Sequence, residues 1–143
     1  MSVRVNSRSG GRPVDNGVMP ATRCPCLSGS TYDECCGPFH AGAAAAPTAE
    51  RLMRSRYSAY AVGDVAYLLR SWHPLTRPAD LTLDPELRWY RLDILAISRG
   101  GMLDTEGTVE FRAHFKAADG AGSQHETSRF ARHSGAWVYV DGT

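Results

Sequence analysis

All four cysteines of the chain fall in one short stretch, Cys24-Pro25-Cys26 through Cys35-Cys36, with eight residues between the two pairs. A loop this short, with thiols paired at both ends, can close around a single ion. Zinc favours a tetrahedron of soft thiolates at about 2.3 Å, and four protein ligands leave no open position for chemistry. Ser28 and Gly29 suit the turn between the pairs, because Gly accepts positive φ and Ser bonds to local backbone. Four thiolates around a divalent ion carry a net double negative charge, so backbone N–H groups in the turn are needed to offset it. Two other arrangements fit the spacing. Disulfides across the loop require an oxidising compartment, and adjacent cysteines make poor partners for each other. His40, just beyond Cys36, competes for the fourth position. The expected set is Cys24, Cys26, Cys35 and Cys36, holding one structural zinc ion.

The rest of the sequence places that element in a globular protein. At 43% apolar residues the chain can build a core, yet no apolar run approaches the roughly 18 residues of a membrane span. The N-terminus lacks the apolar segment of a secretion signal. A cytoplasmic location is expected, and reduced thiols with it. Charge is uneven: Arg4, Arg8, Arg12 and Arg23 face only Asp15 in the first 23 residues, while the whole chain carries +1. The remainder is therefore slightly acidic, and nucleic acid is not the expected partner.

Residues 1–20 are rich in Ser, Gly, Arg, Asn and Pro and show no period, which predicts a disordered tail; Met19 offers an alternative start. The zinc element spans 21–42, and 47–143 form the main domain. Thr48 is a good N-cap with Glu50 in the first turn, and Leu52, Met53, Tyr57, Tyr60 and Ala61 recur at helical spacing, predicting a helix over 48–62 ended by Gly63. Asp64 caps a second helix whose stripe is Val65, Leu68, Leu69 and Trp72, closed by His73-Pro74. Residues 75–88 fit a short helix or a covering loop. The period then changes to two: strands are predicted over 89–97, 106–116, 125–133 and 137–140, with Gly-containing hairpin turns between them. Val109, Phe111, Ala113 and Phe115 share one face of the second strand; Glu110, Arg112 and His114 share the other. Helices followed by a strand meander define an α+β chain with an antiparallel sheet buried on one face.

The cysteine stretch resembles the SEC-C motif, a zinc element found in the tail of the SecA translocation ATPase: Cys-x-Cys, eight residues, Cys, then Cys or His, with an aromatic near Tyr32. Leu27 stands where Gly is common. A second resemblance covers Cys24 to the C-terminus. Leu52-Met53-Arg54-Ser55-Arg56-Tyr57-Ser58-Ala59-Tyr60, Trp72-His73-Pro74, Glu126-x-Ser128-Arg129-Phe130 and Trp137-x-Tyr139-x-Asp141-Gly142 are similar to the YchJ family of bacterial proteins. That likeness implies a SEC-C knuckle followed by a domain of the cystatin or nuclear-transport-factor-2 (NTF2) kind. In such a domain a curved antiparallel sheet wraps N-terminal helices and leaves a conical cavity.

Two functions are expected from different classes. In the first, the knuckle is a handle for a protein partner and the chain is an accessory or adaptor protein rather than an enzyme. In the second, the cavity holds a small molecule or an acid/base site built around Glu126, Arg56 and His73. Phe130 faces the helices, so the two-residue period brings Glu126 and Ser128 to the same inner face. Arg56 and Tyr57 on the first helix, and Trp72 and His73 after the second, are the other candidate walls. A bland alternative is that Glu126 and Arg56 simply pair to fix helix on sheet. No phosphate loop, no G-x-S-x-G elbow and no metalloprotease helix is present; His125-Glu126 lacks a second His and lies on a strand pattern.

Overall fold

A computed structural model describes residues 22–143, so the tail expected over 1–20 lies outside the described residues. The first described unit is small. Tyr32 N–H bonds to Thr22 O (2.8 Å) and Cys24 N–H to Ser30 O (2.9 Å), folding the cysteine loop back on itself. A 3-10 turn at Tyr32–Glu34 and the one-turn helix α1 (Gly37–His40) complete it.

Helix α2 spans Ala49–Val62, with Thr48 accepting from Arg51 N–H at one end and Gly63 at φ 82° closing the other. Leu52, Met53 and every residue from Ser55 to Tyr60 are buried. A helix covered almost all round needs apolar or fully partnered side chains on every face. Here the sheet, the knuckle and α3 (Val65–Arg70) each take one side. Helix α3 is shorter than its apolar stripe predicts. Ser71 Oγ donates back to Tyr67 O (2.8 Å), and residues 71–73 then extend beside the last strand, with Tyr139 N–H on Ser71 O and His73 N–H on Tyr139 O. Trp72 therefore belongs to an extended bridge and not to a helical stripe. Residues 75–88 form no helix; this covering loop buries Leu83.

Four strands follow, β1 (Arg88–Arg99), β2 (Glu106–Ala117), β3 (Gly120–His133) and β4 (Ala136–Gly142), in one antiparallel sheet of order β1-β2-β3-β4. Strand β3 begins five residues before its predicted start because Ala118-Asp119 alone make the turn and Ala117 pairs with Gly120. Register shifts in β1 and between Arg129 and Phe130 mark bulges, which bend and twist strands locally. The sheet curves around α2, on which α3 also packs. Its inner face carries Val109, Phe111, Ala113 and Phe130, all buried. Its outer face is polar, laced by His114–Asp93, His125–Glu110 and Arg129–Asp141 pairs. Among the described residues no helix is long and apolar enough to cross a membrane.

Candidate functional site

The four thiols converge. All four cysteines are buried, and their Sγ atoms lie within 4.8 Å of one another. Cys26–Cys35 and Cys35–Cys36 approach to 3.5 and 3.9 Å; a tetrahedron with about 2.3 Å metal–sulfur bonds has edges of about 3.8 Å. The donor set and spacing fit a closed, structural metal site. Hydrogen bonding from the Cys36 thiol favours the Cys26 thiolate and pulls it down to about 4 against desolvation, while the same contact pushes Cys36 up. A cation among them would hold all four deprotonated. Ser28 Oγ lies 3.2 Å from Cys35 Sγ, a local donor to the thiolate cluster. No disulfide links the cysteines.

His40 is not a member of this cluster. Its Nε2 bonds to Ser55 O (2.8 Å) and its Nδ1 to Tyr32 OH (2.6 Å). A carbonyl can only accept, so Nε2 carries the proton and Nδ1 accepts from the tyrosine. Burial lowers the His40 pKa, in keeping with that neutral form. The imidazole thus ties knuckle to helix. Arg54 donates to Cys26 O, Arg70 to His40 O, and Cys24 Sγ lies 3.8 Å from Ser58 Oγ, so the metal element is fused to α2 and shares its core.

Behind α2, between helix and sheet, lies a cavity of about 120 Å³. Arg56, Tyr57, Trp72, Glu126 and Ser128 line it, as do Met53, Phe111 and Phe130. His73 does not. Because residues 71–73 run extended, consecutive side chains alternate, and Trp72 turns inward while His73 lies tilted against His133 at 5.0 Å and accepts from Leu75 N–H. The expected convergence of Glu126, Arg56 and His73 is therefore corrected to Glu126 and Arg56 facing one cavity.

Those two do not pair directly. Arg56 retains 6% of its surface and packs against the rings of both Trp72 (4.9 Å) and Tyr139 (4.6 Å), which meet edge-on beside it. Its Nη1 donates to Leu68 O (2.8 Å) and Ser71 Oγ (2.7 Å), which closes the end of α3. Desolvation lowers its pKa, opposed by the negative potential of Tyr60, Tyr139, Tyr67 and Glu126. Glu126 has its own donors: Ser128 Oγ (2.6 Å) and Tyr139 OH (3.0 Å) on Oε2, and Gln124 Nε2 (3.3 Å) on Oε1. Burial first, and then the Glu126 charge, push the Tyr139 hydroxyl well above its ordinary range, so it stays a donor.

Sequence reasoning passed over Tyr60, Gln124, Tyr139 and Gly142. Two carried a legible signal. Tyr60 follows Arg56 by one helical turn, and Gln124 precedes Glu126 by two residues, on the same face. Tyr139 sits opposite Phe130 in the β3–β4 register, which only the strand pairing reveals.

A curved sheet packed on α2, with a four-thiol knuckle welded to the same helix, defines an NTF2-like cavity domain carrying a SEC-C element. Family models agree on both parts: the model described as YchJ, middle NTF2-like domain, matches residues 48–142, and the SEC-C motif matches 22–38. The chain belongs to the YchJ-like UPF0225 family. It is 57% identical to a UPF0225 protein of Streptomyces coelicolor, over 87% of this chain and 97% of that one. A UPF0225 protein of Ralstonia nicotianae is 49% identical, over 86% of this chain and 92% of its own length. The solution structure of a SEC-C motif containing protein from Rhodopseudomonas palustris superposes with a TM-score of 0.72 at 37% identity, covering 84% of this chain and 96% of that one. A crystal structure of a SEC-C motif containing protein from Psychrobacter arcticus gives 0.68 at 29% identity, covering 82% and 80%.

Proposed function

We infer that this chain is a small-molecule-binding protein whose thiol centre, loaded with zinc in a reducing cytoplasm, braces the helical wall of its cavity. One observation carries the reading: a buried guanidinium and a carboxylate face the same cavity, and each is held by the protein without contacting the other. Burying charge is expensive unless it is paired, and a fold that needed only stability would bring the two together or replace them with apolar groups. Zinc is the metal that best matches an all-thiolate tetrahedral set. The role is binding; Glu126 is the group positioned to act on a bound molecule, and among the described residues the cavity lining adds no histidine beside it.

Protein docking remains as a second reading, resting on Leu27. It is 52% exposed at the tip of the knuckle, with φ at 65°. An exposed apolar side chain held on a metal-clamped turn is the kind of anchor a protein partner would bury.

A thermal-shift survey of small polar molecules on the zinc-loaded chain tests the primary reading. Ligands should raise the midpoint of the parent and not of Gln124→Trp, which fills the cavity wall. A uniform absence of shifts in the parent would contradict it.

A further inference from the structure

The chemistry of the cavity narrows the ligand. We propose that it takes a small zwitterion of the amino-acid class, with the ligand's carboxylate toward Arg56 and its ammonium toward Glu126. This rests on the cavity-binding reading above and deepens it.

Charge is the first argument. Arg56 is always protonated, and among the described residues no carboxylate lies within ion-pair distance of it. Nη1 is occupied by Leu68 O and Ser71 Oγ, and the Tyr60 hydroxyl also bonds to the guanidinium, yet all of these partners are neutral, so an incoming carboxylate would be its first direct anionic contact. Beside it, Trp72 Nε1 is buried without an acceptor in the fold. Glu126 likewise has no cation within ion-pair distance among the described residues; its three donors are all neutral. The cavity therefore presents one charge of each sign, held apart and offset by the other only at a distance. A lone anion would meet Glu126, a lone cation would meet Arg56, and a neutral apolar molecule would leave both as they are. A molecule bearing both charges compensates both and adds none.

Geometry is the second. Tyr139 separates the two groups: the guanidinium lies over its ring face, and the carboxylate accepts from its hydroxyl. Both groups thus touch the same tyrosine and line the same small cavity without bonding to each other, so one small molecule could reach both. Volume agrees. A single water needs about 10–15 Å³ of such space, and about 120 Å³ suits a ligand of free-amino-acid size rather than a peptide or nucleotide. Met53, Phe111 and Phe130 supply an apolar wall for a hydrocarbon side chain.

The test uses the zinc-loaded full chain and three probes in calorimetric or ligand-observed NMR titrations: L-valine, L-valinamide and N-acetyl-L-valine. Valine has both charges, valinamide only the cation, and N-acetylvaline only the anion. Valine should bind at least tenfold more tightly than either. Glu126→Gln should abolish its advantage over N-acetylvaline, because only the ammonium contact is lost. The probe series on the parent needs no variant, so a poorly folding mutant does not rescue the idea. Equal binding of all three probes, tighter binding of a singly charged one, or no binding of valine, alanine or leucine overturns the zwitterion assignment. If the purified chain then retains a molecule of another class, the cavity reading stands without it. If the parent binds nothing at all, both fall.

Discussion

The Glu126 carboxylate lies directly over the backbone of Gly142. A Cβ built at position 142 would overlap Oε2 of Glu126, so the final residue of β4 has to lack a side chain for the carboxylate to keep its place. Gly142→Ala should therefore push Glu126 off Ser128 and Tyr139 and lower stability by about 1–3 kcal/mol, the usual range for overpacking. Shortening the acid relieves the clash, so Glu126→Ala in the Gly142→Ala background should recover part of the loss. Denaturant melts of the four-member cycle measure the coupling. Simple additivity would show that the two residues do not contact.

Metal loss should reach beyond the knuckle. Cys26→Ser removes one of four ligands from a closed site and should abolish most zinc retention. Because the four cysteines share one core with Leu52, Met53 and Tyr57, the variant's unfolding midpoint should fall by roughly 5 °C or more. Metal analysis and calorimetry check both. A midpoint unchanged after complete metal loss would mean that the knuckle is a detachable appendage.

His40 gives a pH dependence of definite sign. Burial lowers its folded pKa, and an unfolded His titrates near about 6.5. Above that value both states are neutral and His40 contributes no slope. As pH falls below it, the unfolded chain takes up the proton first, so stability declines toward the lowered folded pKa. His40→Gln, which keeps a donor for Ser55 O, should flatten that decline between about pH 6.5 and 5.5. An identical slope in parent and variant would locate the titration elsewhere.

Leu27 separates conformation from contact. A non-glycine residue in the left-handed region is disfavoured by about 1–2 kcal/mol, so Leu27→Gly should hold or raise the melting midpoint although it removes a side chain. Leu27→Ser keeps the strained backbone and should leave stability within about 0.5 kcal/mol. If a partner docks on the knuckle, both variants should lose it.

Much of the architecture was legible because local chemistry and tertiary demand coincide. Thr48, Glu50 and Gly63 delimit α2 as capping rules require, and period-two alternation in β2 foretells which face is buried. The cysteine spacing likewise foretold the thiol cluster, where His40 is displaced by its bond to Ser55 O. What the sequence did not disclose depends on partners distant in the chain. The end of α3 is set by Ser71 and by Arg56 reaching across from α2, and no local pattern around Trp72 records that. The same extended bridge turned His73 out of the cavity. Gly120 and Gly122 looked like turn residues, but they pair within β3, where the Phe115 ring covers Gly122.

Native mass spectrometry of the gently purified chain bears most directly on the metal-braced cavity. The account predicts one zinc per chain together with a small noncovalent adduct, retained by the parent and missing from Gln124→Trp while its zinc stays bound. A parent that carries zinc and no adduct, and that gains none when small molecules are supplied in excess, would contradict it.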